Sequence, residues 1–182
     1  MDINAISFSS NSRYLITGSK EGIINIYDMA KQEDPAKFFK QFRCKDANGN
    51  SIIITSVAIN DSVEFAYGSE DGSLRFLSKH SDLDEFDKIP EILYKHEEAG
   101  KGPAAIRTVA ISDDGRFVAS GSKDRSVFIF DRNYEDPSLR YYCLKNVHEG
   151  NFLSNVINPS RMGKSRTYYS IELKISISRF LW

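Results

Sequence analysis

Val109-Ala-Ile-Ser-Asp-Asp-Gly-Arg-Phe-Val-Ala-Ser-Gly-Ser-Lys-Asp124 is the stretch that decides the fold of this chain. It opens inside an apolar run (Ile106, Val109, Ile111), passes a polar turn at Ser112-Asp-Asp-Gly115, and enters a second run at Phe117. Gly121-Ser-Lys-Asp-Arg125 then reverses the chain into a third run marked by Val127 and Ile129. Short β-branched and aromatic runs between clusters of Gly, Asn, Asp and Ser are strand and hairpin signals. The same grammar occurs twice upstream. Ile3, Ala5 and, offset, Ile6 and Phe8 lead to Thr17-Gly-Ser-Lys-Glu-Gly22 and Ile24, Ile26; Ile54, Val57 and Ile59 lead to Tyr67-Gly-Ser-Glu-Asp-Gly72 and Leu74, Phe76. The turn glycines Gly18, Gly68 and Gly121 are 50 and 53 residues apart. A period of that size marks a propeller or solenoid, because one unit cannot bury its own faces and must stack on neighbours.

Gly22 and Gly72 can take the left-handed backbone that a tight reversal requires. Arg125 stands at that place in the third copy, which predicts a strained or reshaped turn. Outer strands are expected within residues 37–42, at Glu91–Lys95 and at Tyr141–Leu144.

This grammar resembles the WD40 repeat family: an inner strand, a turn, Leu-Ala-Ser-Gly-Ser-x-Asp-Gly-like residues, a third strand closing on Trp-Asp, and an outer strand. The resemblance covers roughly residues 3–148 and implies an all-β, WD40-like β-propeller. That propeller is incomplete, with three clear four-stranded blades in residues 1–150 and a degenerate or truncated fourth in 151–182. The family's Gly-His ahead of the inner strand is missing; His96 and His148 come nearest. Trp-Asp is represented by Tyr27-Asp28, Leu77-Ser78 and Phe130-Asp131. The family's Asp–His–Ser/Thr–Trp network is therefore expected to be incomplete. Asp124 with Ser120, or Asp71 alone, could keep part of it, and Glu21 is one methylene too long; these acids could equally be plain turn residues.

Bulk properties narrow the class. The chain has 182 residues, 41% hydrophobic and 27% charged, with net charge −1. That balance argues against a protein dominated by nucleic-acid or membrane attraction, and no apolar run reaches the ~18 residues that span a bilayer. Two cysteines, Cys44 and Cys143, make no disulfide framework and read as buried thiols. The start lacks a signal-peptide pattern, so a cytoplasmic or nuclear location is expected.

A closed propeller has about four to eight blades. Three units plus residues 151–182 fall short of that, although Ile171, Leu173, Ile175 and Ile177 alternate as a half-buried strand would. An open arc exposes apolar end faces, and such faces signal a partner or self-association. The expectation is a fragment, a truncated product, or a ring completed by a second molecule. Charge is uneven: residues 79–98 hold seven acids against three lysines, and residues 132–182 hold eight bases against four acids. Such runs are usually solvated loops.

Catalytic and ligand motifs are sought and not found. Asn158-Pro-Ser-Arg-Met-Gly-Lys-Ser165 resembles a phosphate-binding loop, but Pro159 removes a backbone donor where the cradle needs one. His80 with Asp82, Asp84 and Asp87 lacks both the cysteine spacing of zinc sites and the glycine of calcium loops. No Ser–His–Asp grouping follows from spacing. The sequence predicts no enzyme, no cofactor and no metal. Surface remains. By resemblance, one rim carries Lys20, Glu21, Glu70, Asp71, Lys123, Asp124 and Arg125, with Asn4, Thr55 and Arg107 close by. Arg107 is the best interface anchor, since Arg is enriched at hot spots. The expected function is a non-catalytic protein–protein scaffold. The alternative is an RNA- or nucleic-acid-associated subunit that uses Arg161, Lys164 and Arg166.

Overall fold

The computed structural model describes residues 2–30, 40–46, 48–78, 91–133 and 141–145. Among them the chain forms three four-stranded antiparallel sheets, each in simple sequential order. Blade 1 is β1 (Ile3–Phe8), β2 (Tyr14–Ser19), β3 (Ile23–Asp28) and β4 (Lys40–Arg43). Blade 2 is β5 (Ile54–Ile59), β6 (Phe65–Ser69), β7 (Ser73–Leu77) and β8 (Glu91–Lys95). A two-stranded hairpin, β9 (Glu97–Glu98) and β10 (Gly102–Pro103), leads into blade 3: β11 (Ile106–Ile111), β12 (Phe117–Ser122), β13 (Val127–Asp131) and β14 (Tyr141–Leu144). The outer strand expected within residues 37–42 lies at Lys40–Arg43; residues 37–39 lie outside the described residues. His80, Asp82, Asp84, Asp87, His148, the loop at 158–165, the strand at 171–177 and the whole of 151–182 also lie outside them.

The blades stack through their inner strands. Each inner strand breaks register at one residue, between Ile3 and Ala5, Ile54 and Ser56, and Ile106 and Thr108. The bulged residues are Asn4, Thr55 and Arg107. This is the origin of the offset visible at Ile3, Ala5, Ile6 and Phe8: a bulge admits one extra residue and shifts the alternation. Ile54, Val57 and Ile59 bury against Ile16, Ile24 and Ile26 of blade 1; Ile106, Val109 and Ile111 bury against Ala66, Leu74 and Phe76 of blade 2. Fully buried, Ile54 and Ile106 each contribute about 2–3 kcal/mol. Polar staples cross the same seams. Asn4 Nδ2 donates to the Ile54 carbonyl at 3.1 Å, and the Val109 amide donates to Ser56 Oγ at 2.9 Å.

At the edge of the sheets away from the Gly-Ser turns, blades 1 and 3 close with matching ion pairs. Arg13 clasps Asp28 through Nε and Nη2 at 3.3 and 3.2 Å, and Arg116 clasps Asp131 at 2.9 and 2.7 Å. Blade 2 has Ser78 in place of the aspartate, with Glu64 at the register position of Tyr14 and Phe117, and the cation arrives from blade 3. Arg132 reaches Glu64 at 3.1 Å, Ser78 at 3.3 Å and the Gly115 carbonyl at 2.7 Å, with its guanidinium over the Phe76 ring. What is a clasp within one blade elsewhere becomes a clasp between two.

Of the two outcomes expected at Arg125, the turn is strained and not reshaped. Arg125 adopts φ 65°, beside 78° at Gly22 and 77° at Gly72, so it keeps the turn and carries the steric strain of a side chain there. Arg125→Gly should raise stability by about 0.5–1 kcal/mol, after allowing for glycine's freer unfolded state. Denaturant unfolding of the variant checks this; a loss of stability would show that the side chain is held by contacts.

Candidate functional site

Seven of the ten rim candidates sit on turns joining the second and third strands at an exposed edge, and backbone bonds bring the other three to them. The Lys20 amide donates to the Asp2 carbonyl, Glu70 to Ile53 and Lys123 to Ala105, all at 3.0–3.1 Å. Each turn therefore lies against the residue just ahead of its own inner strand, two residues before the bulge. Three clusters result: Asn4 with Lys20 and Glu21; Thr55 with Glu70 and Asp71; Arg107 with Lys123, Asp124 and Arg125. Asn4, Lys20, Glu21, Glu70, Lys123 and Arg125 are exposed, while Thr55, Asp71, Arg107 and Asp124 are half-buried.

Asp71 and Asp124 are engaged beneath the rim. In blade 3 the chain leaves β8 and places His96 under the Gly72 turn, its amide on the Gly72 carbonyl at 2.8 Å. The His96 ring is fully buried. Its Nδ1 lies 2.9 Å from Asp124 Oδ2 and 3.0 Å from Ser126 Oγ, and its Nε2 lies 2.8 Å from Ser120 Oγ. A carboxylate can only accept, so Nδ1–H donates to Asp124 and Nε2 accepts from the Ser120 hydroxyl. That is one neutral tautomer with every polar atom used. Burial lowers the His96 pKa and outweighs the opposing pull of Asp124. Burial pushes Asp124 up, but donors from Ser126 and His96 bring it below the ordinary carboxylate value.

Blade 2 builds the equivalent node from other residues. Cys44 takes the histidine position, with its amide on the Gly22 carbonyl at 2.7 Å, and Tyr67 takes the Ser120 position. The phenol hydrogen-bonds the thiol. A large side chain on one strand fills what the small one leaves on the other, so volume is conserved. Arg75, buried on β7, supplies the positive charge, reaching Asp71 Oδ2 at 2.8 Å and Ser69 Oγ at 2.8 Å. Burial raises the Asp71 pKa, yet Arg75, Ser69 and the Ser73 amide overcome it and bring it down to about 2. Burial raises both the Tyr67 and the Cys44 pKa. Ser73 Oγ, the counterpart of Ser126 Oγ, is buried without a partner, because the histidine that Ser126 meets is a cysteine here.

A family model described as WD domain, G-beta repeat matches residues 1–28 and 93–131. Those two stretches are similar to WD40 repeats. The WD repeat-containing protein SL1-17 of Schistosoma mansoni is 26% identical over 142 residues, covering 71% of this chain and 36% of that protein. The β-propeller domain of Cps50 (Swd1) from Myceliophteria thermophila overlays with a TM-score of 0.64 at 14% identity, covering 88% of this chain and 46% of that one. The chain thus spans less than half of each, and the overlay shows the fold alone. The unmatched stretch, residues 29–92, holds Cys44, Tyr67, Arg75 and Glu64, the residues that rebuild blade 2.

Within the WD40 frame, the network judged incomplete from sequence is partly present. His96, Asp124 and Ser120 connect as the family's Asp–His–Ser/Thr set does, and Phe130 brings no donor in place of Trp. Glu21 accepts from the Asp2 amide at 3.2 Å instead of entering a node. In blade 1, Asn25 holds the position of Arg75 and accepts from Gln41 Nε2 at 2.9 Å. The Ser120–His96–Asp124 order has the connectivity of a hydrolytic triad, which spacing alone did not suggest. Ser120 and His96 are sealed at 0% exposure, so no substrate carbonyl can reach Oγ, and the arrangement acts as an internal clasp. Among the described residues, no three His, Cys, Asp or Glu side chains gather as a metal site.

Proposed function

We propose that this WD40 chain is a non-catalytic platform for assembling other proteins, in the cytoplasm or nucleus, with the Gly-Ser turn rim as its recognition surface. WD40 propellers generally serve as interaction scaffolds, and the triad-like groups here are consumed inside blade 3. One observation carries the assignment of the rim: the inner-strand bulge. Bulges re-aim side chains at functional edges. In blade 1 the bulged Asn4 satisfies itself on the Ile54 carbonyl. In blade 2 the hydroxyl of bulged Thr55 is buried without a partner, and bulged Arg107 makes no ion pair among the described residues. Thr55 and Arg107 occupy matching places on adjacent inner strands; with the Thr55 hydroxyl shielded, it is the half-buried Arg107 that offers a cation to an incoming protein group.

The test compares proteins that co-purify with the full chain and with Arg107→Glu, after confirming equal unfolding midpoints. The expected result is an RNase-resistant set of proteins whose affinity falls about tenfold or more for the variant, as hot-spot arginines show. An unchanged set would remove Arg107 from the rim surface. Retention that is lost on RNase treatment and weakens steeply with salt would establish the nucleic-acid reading instead.

A further inference from the structure

Arginine stands in blade 3 at the turn position where the other two blades hold glycine. At Gly22 and Gly72 the chain entering the next blade roofs the turn. A Cβ on Gly22 would lie 2.8 Å from the Cys44 carbonyl oxygen, and one on Gly72 would lie 2.5 Å from that of His96. Arg125 keeps the same left-handed backbone, at φ 65°, with a Cβ in place, and its side chain is exposed. Such backbone in a non-glycine residue is a strain that clusters at sites of function. Internal pairing does not account for it. Arg13, Arg75, Arg116 and Arg132 each close on a carboxylate, whereas the Arg125 guanidinium makes no ion pair or hydrogen bond among the described residues.

We infer that Arg125, with Lys123 and Arg107, forms a site for a short carboxylate-bearing segment of a partner protein, which rests on the rim reading above and gives it a chemistry. The Lys123 amide, on the Ala105 carbonyl at 3.1 Å, sets this turn beside the bulge that carries Arg107. Asp124, between the two turn cations, faces inward to His96 and Ser126, and its carboxylate is only 11% exposed. The corner therefore presents three cations and little of its one acid. The corresponding clusters are Lys20 with Glu21 in blade 1 and Glu70 with Asp71 in blade 2. Guanidinium forks match the two oxygens of a carboxylate. A nucleic-acid backbone needs a basic stripe under successive phosphates. Here the cations occupy a single blade and Glu70 and Asp71 lie on the next, so a short acidic peptide is the better occupant.

The test titrates a labelled oligoglutamate peptide, and an oligouridylate of equal charge, against the full chain at low salt. The peptide should bind more tightly than the RNA, with an affinity that falls as salt rises. Arg125→Gly should weaken the peptide about fivefold or more, although it removes the backbone strain. Arg125→Gln, which keeps the strain and drops the charge, should weaken it equally. Arg43→Gln removes the same charge from an exposed position of blade 1 and should leave the affinity unchanged. Four results would overturn the inference: no peptide binding, full affinity in both Arg125 variants, an equal loss in Arg43→Gln, or tighter binding of the RNA with the same loss at Arg125. The last would assign the corner to nucleic-acid phosphates. Failure here is distinct from failure of the rim reading. Unchanged co-purifying proteins in Arg107→Glu beside lost peptide affinity in Arg125→Gly would remove that reading alone, and the reverse would remove this site alone.

Discussion

Gly68→Ala should destabilise the chain by about 2–3 kcal/mol, the upper part of the usual range for an overpacked core. The added Cβ would lie 2.3 Å from Ile106 Cγ2, 2.8 Å from Ile106 Cβ and 3.0 Å from Val109 Cγ2. Both neighbours are β-branched and hold one stiff rotamer, so they cannot swing aside, and the strand behind them is pinned by the Val109–Ser56 bond. The seam between blades 2 and 3 must open or β11 must shift. Urea unfolding measures the loss. Ile106→Ala alone should also destabilise, through the cavity it leaves. Combined with Gly68→Ala it should cost less than the sum, because each change makes room for the other. Strict additivity would mean that the two residues do not oppose one another.

His96→Ala carries a comparable effect with a different signature. It leaves the Ser120 hydroxyl and one face of Asp124 buried without their partner, a loss of about 3 kcal/mol for a broken buried network. Acid sensitivity separates it from a packing defect. The His96 pKa is lowered from its ordinary 6.5 by burial, so below that pH the unfolded chain binds a proton that the folded chain resists. Stability is full above about pH 6.5 and declines as pH falls towards the folded value. A second decline follows lower, as Asp71 and Asp124, both depressed below 3.8, take up protons. Urea midpoints measured from pH 8 to pH 3 should show both limbs in the unmodified chain and only the lower one in His96→Ala. A variant that keeps the upper limb would place the responsible group elsewhere.

The strand order was legible because it is written locally. Alternating Ile and Val, a Ser- or Asp-rich turn and the Gly-Ser reversal each fix structure within ten residues, and β5, β8, β11 and β14 fall where those signals put them. The nodes were only half legible. His96 lies 24 residues from Ser120 and 28 from Asp124 and follows a lysine rather than the family's glycine, so nothing in its neighbourhood announces its partners. Cys44 and Tyr67 were harder still. Each is an ordinary apolar residue alone, and only the register that opposes them reveals an exchange of volume. Arg75 and Arg132 were missed for a related reason: charged residues on strands read as surface, and their burial depends on acids contributed by a turn and by another blade. A basic residue between apolar neighbours, as in Leu74-Arg75-Phe76, was the one available hint.

Since every seam uses the same three inner-strand positions and the same facing glycine, a whole unit can be copied or removed without redesigning the joints that remain. Lineages built on such a joint can change size in steps of one repeat, each new wedge meeting neighbours already shaped to receive it.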